Sequence, residues 1–269
     1  MNEDPLVAGL NPQQAAAVVH SGAPLLVVAG AGSGKTRVLT RRIAYLMARR
    51  NARPFEILAI TFTNKAAGEM KERVAELVGP IAKSMWVSTF HSACVRILRV
   101  EAHRLGYSNN FTIYDSADSQ RLIALVCKDL NLDPKRYPPR QFASTISNAK
   151  NELLGPADYL NSTNNQYEQL CAEVYSLYQK RLGQANAMDF DDLIMKTVEV
   201  VQRHPEVKAR LRSRFRHILV DEYQDTNHAQ YILVKELVGK EEEGIPAAEL
   251  CVVGDADQSI YGFRGATIR

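Results

Sequence analysis

Short apolar runs alternate with amphipathic segments along residues 1–110 of the chain. Residues 25–29, 57–60 and 86–90 are apolar runs of strand length, and the first is closed by glycines, as expected of a strand that is buried on both faces. Between these runs, apolar residues recur at helical spacing, as in Leu39, Ile43, Leu46 and Met47. Strands that alternate with helices in this way predict an α/β fold with a parallel sheet flanked by helices.

The pattern changes near residue 111 and returns after residue 202. Between these points the strand signal fades, and helical stripes alternate with polar or proline-bearing breaks. Strand signals come back at residues 217–220 and 250–253. Because connections within one sheet are normally short, such an interruption needs a core of its own. We therefore expect an all-helical domain of residues 111–202, inserted into an α/β domain formed by residues 1–110 and 203–269.

Composition narrows the class of protein. Of 269 residues, 46% are hydrophobic and 23% are charged, which excludes collagen, coiled coils and wholesale disorder. No apolar run approaches the ~20 residues that span a bilayer, and the first residues lack the basic and apolar regions of a secretory signal. The four cysteines include no CxxC pair. We therefore expect reduced thiols in a soluble, cytoplasmic protein.

Positive charge is concentrated in the N-terminal part. Residues 1–110 hold 14 Lys and Arg against 7 Asp and Glu, a net charge of +7, whereas residues 111–202 hold 9 against 12, a net charge of −3. A basic part permits a polyanionic partner, but chance on a solvated surface explains the same imbalance. We interpret a second basic stretch as a solvated helix face rather than as a surface that follows a nucleic-acid backbone. It comprises Arg203, Lys208, Arg210, Arg212, Arg214 and Arg216.

A glycine-rich segment joins the first predicted strand to the helix that follows. Its sequence is Ala29-Gly30-Ala31-Gly32-Ser33-Gly34-Lys35-Thr36, and strand, loop and helix in this order are the context of a phosphate-binding P-loop. Glycines let backbone N–H groups turn inward, and the helix N-terminus adds positive potential. Lys35 can reach the β- and γ-phosphates of ATP, and the Thr36 hydroxyl suits Mg²⁺. The alternative is a glycine-rich turn with a chance lysine, which the context disfavours.

Two acidic residues directly follow the predicted strand at 217–220. Asp221 and Glu222 therefore stand at a strand's carboxyl end, where an open α/β sheet binds its ligand. We expect Asp221 to hold Mg²⁺ and Glu222 to be the general base that orients and deprotonates water. The alternative is an exposed Asp-Glu pair at a strand end, and the P-loop makes it the weaker one.

Several ordered segments together resemble a known family. Asp221-Glu222-Tyr223-Gln224-Asp225-Thr226-Asn227 and the P-loop are similar to motifs of the UvrD/PcrA/Rep group of superfamily 1 DNA helicases. The other matching segments are Leu10-Asn11-Pro12-Gln13-Gln14 (the Q motif), Thr61-Phe62-Thr63-Asn64-Lys65-Ala66-Ala67 (motif Ia), Ser88-Thr89-Phe90-His91-Ser92 (motif Ib) and Gly254–Ala266 (motif III). The resemblance covers nearly the whole chain and implies a RecA-like P-loop NTPase sheet.

The family implies further roles at the nucleotide. Gln14 would read adenine, although capping of a helix by Asn11 and Pro12 explains those two residues without a ligand. Arg37 would lie against the adenine. Gln258 would sense the γ-phosphate and couple it to DNA. The resemblance thus makes Lys35, Glu222 and Gln258 the catalytic residues, with ATP and Mg²⁺ as the cofactors.

The family also implies residues that face single-stranded DNA: Phe62, Asn64, Lys65, His91, Tyr261, Phe263 and Arg264. Stacking of aromatic side chains on bases tolerates any sequence and contributes ~1–3 kcal/mol per base. Many relatives carry Trp where Phe263 stands. The competing interpretations are that Phe62 and Phe263 belong to the core and that His91 is satisfied locally at a helix start. Met188-Asp189-Phe190-Asp191-Asp192-Leu193 resembles another family signature, whose acids could cap the following helix.

Family members continue with a second RecA-like half. The resemblance therefore implies the N-terminal part of a bacterial 3′→5′ DNA helicase, at the nucleoid, with single-stranded DNA or ss/ds junctions and DNA-repair proteins as partners. Without the missing C-terminal half, we expect weak binding, slow hydrolysis and no unwinding. One alternative is a short P-loop ATPase or nucleotide switch that acts on a protein partner. Another is a DNA-binding scaffold with a vestigial nucleotide site, which the presence of all the nucleotide residues disfavours.

Overall fold

The computed structural model describes residues 4–30, 32–240 and 244–255. The chain divides into two compact units. The first unit takes its described residues from Met1–Ala93, His204–Thr226 and Val234–Arg269, and the second comprises Cys94–Arg203 and Asn227–Leu233. The predicted domain boundaries, after residues 110 and 202, remain a prediction. The first division between the two compact units comes after residue 93.

Regular elements account for most of the described chain. The strands are β1 (Leu25–Val28), β2 (Ile57–Thr61), β3 (Trp86–Thr89), β4 (Thr112–Tyr114), β5 (Ala187–Asp189), β6 (His217–Val220) and β7 (Glu249–Gly254). The helices are α1 (Pro12–Val19), α2 (Lys35–Arg49), α3 (Asn64–Val78), α4 (Phe90–Glu101), α5 (Ser116–Asp129), α6 (Pro139–Asn151), α7 (Pro156–Asn161), α8 (Gln166–Gln184), α9 (Phe190–Arg203), α10 (Pro205–Arg214) and α11 (His228–Val238).

The first unit is built on a five-stranded parallel sheet. Its strand order is β1-β7-β6-β2-β3, and every adjacent pair within it is parallel. The predicted strands are confirmed to within about two residues at their ends, and so is the α/β class of the fold. Parallel strands need crossover connections, which helices α2 and α3 supply between β1 and β3.

Helices α2 and α3 bury the stripes that the sequence predicts. Leu39, Ile43 and Leu46 of α2 are at most 1% exposed and pack in one cluster with Met70 and Val74 of α3. The same cluster includes sheet residues of β2, β6 and β7. On α3, Leu77 is 40% exposed, whereas Val78 is partly buried against the same cluster.

Strand β1 corrects one prediction. The sequence predicts a strand buried on both faces, but Leu26 and Val28 are 41% and 50% exposed. Leu25 and Val27, on the other face, pack against the core. Strand β1 is also the edge of the five-stranded sheet and pairs with β7 alone among the described strands. An apolar run of this kind does not reveal whether its strand is central or at an edge.

The second unit is mostly helical but contains a short parallel ladder. Its core holds Phe142, Val174, Tyr175, Tyr178 and Leu182, which come from α6 and α8. Strands β4 and β5 pair in parallel, Ile113 opposite Met188, where the sequence predicts helices only. Each of these strands has three residues, too few for an alternation of apolar and polar positions to be recognised within the surrounding helical pattern. Across the described ranges, no helix is both long and apolar enough to cross a membrane.

Candidate functional site

The carboxyl ends of the five parallel strands share one edge of the sheet. The P-loop follows β1. Asp221 and Glu222 follow β6, and Asp255 follows β7. Strand β7 lies between the other two in the sheet, with Val28 opposite Gly254 and Val220 opposite Val252. The sheet thus brings together acidic and basic residues that lie far apart in the sequence, at the edge where α/β proteins bind ligands.

The P-loop has the backbone that its glycines permit. Gly32 and Gly34 have φ angles of 75° and 82°, in the left-handed region that strains other residues. Gly34 is the N-cap of α2 and has no side chain to bond the first turn, so the helix N-terminus is open to an anion. Ser33 N–H donates to Gly30 O at 3.3 Å. Ala31 lies outside the described residues, and Thr36 lies in the first turn of α2.

Lys35 is held by two oxygen atoms. Its Nζ donates to Ala29 O at 3.1 Å and pairs with Asp255 Oδ2 at 3.2 Å. The side chains of Lys35 and Asp255 are only 11% and 6% exposed. The sequence-based predictions assign no role to Asp255. Like Asp221, however, it is a carboxylate that directly follows a strand. A phosphate that reaches Lys35 therefore meets an ammonium already paired with a carboxylate.

Gln14 reaches both a helix cap and the P-loop. Its Oε1 accepts from Asn11 N–H at 3.1 Å, and Asn11 Oδ1 accepts from Gln14 N–H at 2.8 Å, which forms a capping box with Pro12 as the first residue of α1. Gln14 Nε2 donates to Ser33 O at 2.9 Å. Capping thus accounts for Asn11 and Pro12, while Gln14 also touches the P-loop. Arg37 lies in the first turn of α2, and adenine contacts for Gln14 and Arg37 remain predictions.

Asp221 is a buried carboxylate with a charged neighbour. It is 8% exposed, and its Oδ1 accepts from Glu222 N–H at 3.0 Å. Burial raises the pKa of Asp221 and the charge of Glu222 adds to the rise, while that hydrogen bond and Lys35 oppose it. Glu222 has φ 47° and ψ 45°, a left-handed conformation that is rare without glycine.

The Asp221 carboxylate and the Thr36 hydroxyl are oxygen ligands of the kind that Mg²⁺ takes. Burial outweighs the opposing charge of Lys35 at Asp221, and a divalent cation would add positive charge there. Mg²⁺ commonly takes one or two protein oxygen ligands and completes its shell with water and phosphate. Among the described residues, no group of three or more His, Cys, Asp and Glu side chains is placed to hold a metal ion.

The expected DNA residues of the described chain lie at the ends of β2 and β3. Phe62 follows β2 and makes an edge-to-face contact with Phe90, with ring centroids 6.1 Å apart. Asn64 Oδ1 accepts from Ser92 Oγ at 3.5 Å, and the Lys65 side chain is 87% exposed. Phe62 is half-buried, and its stacking on a base remains a prediction.

His91 is half-buried in the first turn of α4, and burial lowers the pKa of its imidazole. The lowered pKa favours a neutral ring at pH 7, which suits hydrogen bonding or stacking better than ionic contact with phosphate. Four predicted residues lie outside the described residues: Gln258, Tyr261, Phe263 and Arg264.

The chain is similar to known proteins of one helicase family. A family model described as "UvrD/REP helicase N-terminal domain" matches residues 10–269. The chain is 63% identical to the ATP-dependent DNA helicase UvrD1 of Mycobacterium tuberculosis over 99% of its length, and 59% identical to UvrD1 of Mycobacterium leprae over 98%. It is 54% identical to the ATP-dependent DNA helicase PcrA of Bacillus subtilis over 98% of its length.

The chain spans 35% of the length of each of these relatives. The matched region takes in the P-loop, the acid pair after β6 and the segments that follow β2, β3 and β7. Because the family model covers nearly all of the sequence, from residue 10 to its last residue, the chain belongs to the family of UvrD/REP helicase N-terminal domains.

Proposed function

We propose that this chain is the ATP- and single-stranded-DNA-binding amino-terminal part of a bacterial ATP-dependent 3′→5′ DNA helicase. One observation carries the proposal: Lys35, the Asp221–Glu222 pair and the segment around Phe62 and Asn64 all leave the same edge of one parallel sheet. The relatives' names as ATP-dependent DNA helicases support it. ATP hydrolysis at the P-loop can then act on DNA that is bound at the same edge, near Phe62 and Asn64.

The nucleotide would bind at the P-loop and the open N-terminus of α2. Lys35 would neutralise the β- and γ-phosphates, and Gln14 and Arg37 would contact adenine. Thr36 and Asp221 would hold Mg²⁺, which neutralises developing charge on the phosphates when bound. Glu222 would orient a water molecule and accept its proton, and Gln258 would sense the γ-phosphate.

DNA would lie along the segments that follow β2 and β3. Phe62 would stack on a base, since stacking needs no particular sequence. Asn64 and His91 would donate or accept hydrogen bonds, and the exposed ammonium of Lys65 would meet phosphate. Tyr261, Phe263 and Arg264 would extend this surface, with an ss/ds junction as the preferred substrate and DNA-repair proteins as partners.

We expect the isolated chain to hydrolyse ATP only slowly. An arginine placed at the transferring phosphoryl group contributes about 10³–10⁵ in rate, and in this family the second RecA-like half supplies it. The 269-residue chain should therefore bind Mg·ATP and single-stranded DNA weakly, hydrolyse ATP slowly and unwind nothing.

The proposal is tested by ATP hydrolysis of the full-length protein with and without single-stranded DNA. Lys35→Ala should abolish hydrolysis because the phosphates lose their cation, whereas the exposed Lys83→Ala should leave it unchanged. Phe62→Ala should remove most of the stimulation by DNA while nucleotide affinity stays as in the parent.

Two outcomes would contradict the helicase proposal. Hydrolysis that DNA never stimulates, together with control by a protein partner, would favour a nucleotide switch. Full DNA-dependent activity of Lys35→Ala would favour a scaffold with a vestigial nucleotide site.

A further inference from the structure

Gln224 joins two strand ends at the candidate site. It lies in the short 3₁₀ turn Tyr223–Asp225 that follows the acid pair. Its Nε2 donates to Glu222 Oε2 at 2.6 Å, and its Oε1 accepts from the backbone N–H of Asp255 at 3.0 Å. No local pattern predicts the bond between Gln224 and Asp255, which are 31 residues apart.

The backbone of β7 fixes which way the Gln224 amide points. An amide side chain has one acceptor end and one donor end. Because Asp255 presents an N–H, the Gln224 oxygen must face it, and the nitrogen is left to face Glu222. The fit is close at Gly254, where an added Cβ would lie 3.2 Å from Gln224 Oε1. The amide nitrogen of Gln224 is thereby held towards the Glu222 carboxylate by the backbone of Asp255, which lies outside the 3₁₀ turn.

Glu222 needs such support. Its left-handed backbone is strained for a residue with a side chain, and it persists only where the surroundings enforce it. The backbone is held by the bond from Glu222 N–H to Asp221 Oδ1 at 3.0 Å. The carboxylate end has Gln224 as a hydrogen-bond donor at 2.6 Å. With one oxygen bound, the other can be aimed at a water molecule.

The same contacts reach the P-loop lysine. Asp255 receives Gln224 at its backbone and Lys35 at its side chain, 3.2 Å from Oδ2 to Nζ. Glu222 is thus linked to Asp255 through Gln224, and Lys35 is linked to Asp255 by an ion pair. A phosphate that draws Lys35 away from Asp255 acts on the residue that also orients Gln224.

We propose that Gln224 is a positioning residue that aims the Glu222 carboxylate for proton abstraction from water and ties that aim to the end of β7 beside Lys35. This inference rests on the proposed function, in which Glu222 is the general base. Gln224 itself touches neither water nor nucleotide in this scheme. Its effect should therefore appear in turnover and leave ATP affinity unchanged.

The test measures steady-state ATP hydrolysis and nucleotide affinity of the full-length protein. Gln224→Glu keeps an oxygen for Asp255 N–H but replaces the donor to Glu222 by a second carboxylate, and Gln224→Met removes both bonds without adding charge. Gln120→Glu, at an exposed position of α5, is the matched control. We expect both Gln224 variants to lower kcat about 10- to 100-fold, as small misplacements of a catalytic group do, with KM and Kd for ATP within about twofold.

A double-mutant cycle separates positioning from a role in folding. If Gln224 acts through Glu222, Gln224→Glu should cost almost nothing more in a Glu222→Asp background, whose base is already displaced. Fully additive losses would overturn the proposal. So would a fall in ATP affinity or in folded fraction that matches the loss of kcat in both Gln224 variants.

The remaining outcomes distinguish this inference from the function on which it rests. An inactive Glu222→Gln protein combined with parental kcat in both Gln224 variants would overturn the role of Gln224 alone. Parental hydrolysis by Glu222→Gln would overturn the general base itself, and the positioning role with it.

Discussion

The carboxylate of Asp221 is held where its own charge is unfavourable. It is 8% exposed and has Glu222 as its neighbour in the chain. Burial and that neighbouring charge raise its pKa. A group whose pKa is higher in the folded than in the unfolded state costs stability once pH rises above that range. The cost is consistent with a residue retained for binding a cation rather than for stability.

Asp221→Asn should therefore stabilise the protein and weaken its function. At pH 7 the neutral amide removes the buried charge, so the free energy of unfolding should rise. The gain should shrink as the pH falls towards the ordinary Asp value of about 3.9, because the parent carboxyl then takes up its proton. Urea unfolding at pH 7 and pH 4.5 measures the gain.

Magnesium-dependent ATP binding of the Asp221→Asn protein should fall at least about tenfold, since one carboxylate often holds the ion. The exposed Asp225→Asn is the control and should change neither quantity. A variant that loses stability at pH 7, or gains more in acid, would contradict the electrostatic account.

Residues within one motif could be predicted from sequence, and residues that act across strands could not. Lys35, Thr36 and Asp221 each stand at a fixed place beside a strand, so a local pattern finds them. Asp255 meets Lys35 and Gln224 because β7 lies between β1 and β6. That strand order is a long-range property that no local pattern encodes.

Helix α10 shows the same limit for charge patterns. We interpreted its basic residues as a solvated face, but Arg212 is 2% exposed, and its Nη2 donates to Lys240 O and Ile245 O at 2.9 and 2.8 Å. Arg216 donates to Pro246 O and Ala247 O, and Lys208 pairs with Glu236 at 2.9 Å. The solvated-face interpretation is wrong for Arg212. Much of this basic stretch stabilises the first unit by holding the chain before β7.

In the second unit, the β5–α9 junction is organised around one buried cation. Asp189 caps α9 by accepting from Asp192 N–H at 2.8 Å, the capping that the sequence suggested. The unforeseen partner is Lys150, which is 1% exposed and lies 2.7 Å from Asp189 Oδ2 and 3.0 Å from Asp192 Oδ1. Tyr178 OH donates to Asp189 Oδ2 at 2.8 Å. Burial acts against the charged lysine, but the two carboxylates outweigh it and raise its pKa.

Lys150→Met should destabilise the second unit strongly. Methionine fills the space but leaves two buried carboxylates without their cation, a loss of about 3–5 kcal/mol. Urea unfolding followed by tyrosine fluorescence measures it, with the exposed Lys180→Met of α8 as the control. A loss no larger than that of the control would show that the ion pairs contribute little.

The loss in Lys150→Met should also shrink in acid. Without Lys150, burial raises the pKa of both carboxyls above their unfolded values. The folded state then takes up protons as the pH falls from 7 towards 5, which restores part of the stability. A deficit that grows over this range would contradict the assignment of the carboxylates as its cause.

At the scale of the whole molecule, the described nucleotide residues all belong to one of the two compact units. Gln14, Lys35, Asp221, Glu222 and Asp255 lie in the first unit, while the Lys150 cluster lies in the second. The proposed nucleotide site and the helical core thus belong to different units. A ligand that binds only the folded form stabilises the part that contains its site.

Mg·ATP should therefore protect the two units unequally from hydrogen exchange. At about 100 times Kd, binding contributes about 2.7 kcal/mol, and protection should rise in the segments that follow β1, β6 and β7. The core amides of α6 and α8 should exchange as before, because no described nucleotide residue lies in those helices. Lys35→Ala, or chelation of Mg²⁺, should abolish the difference. Protection that appeared in α6 and α8 but not behind the P-loop would place the nucleotide in the other unit and refute the site.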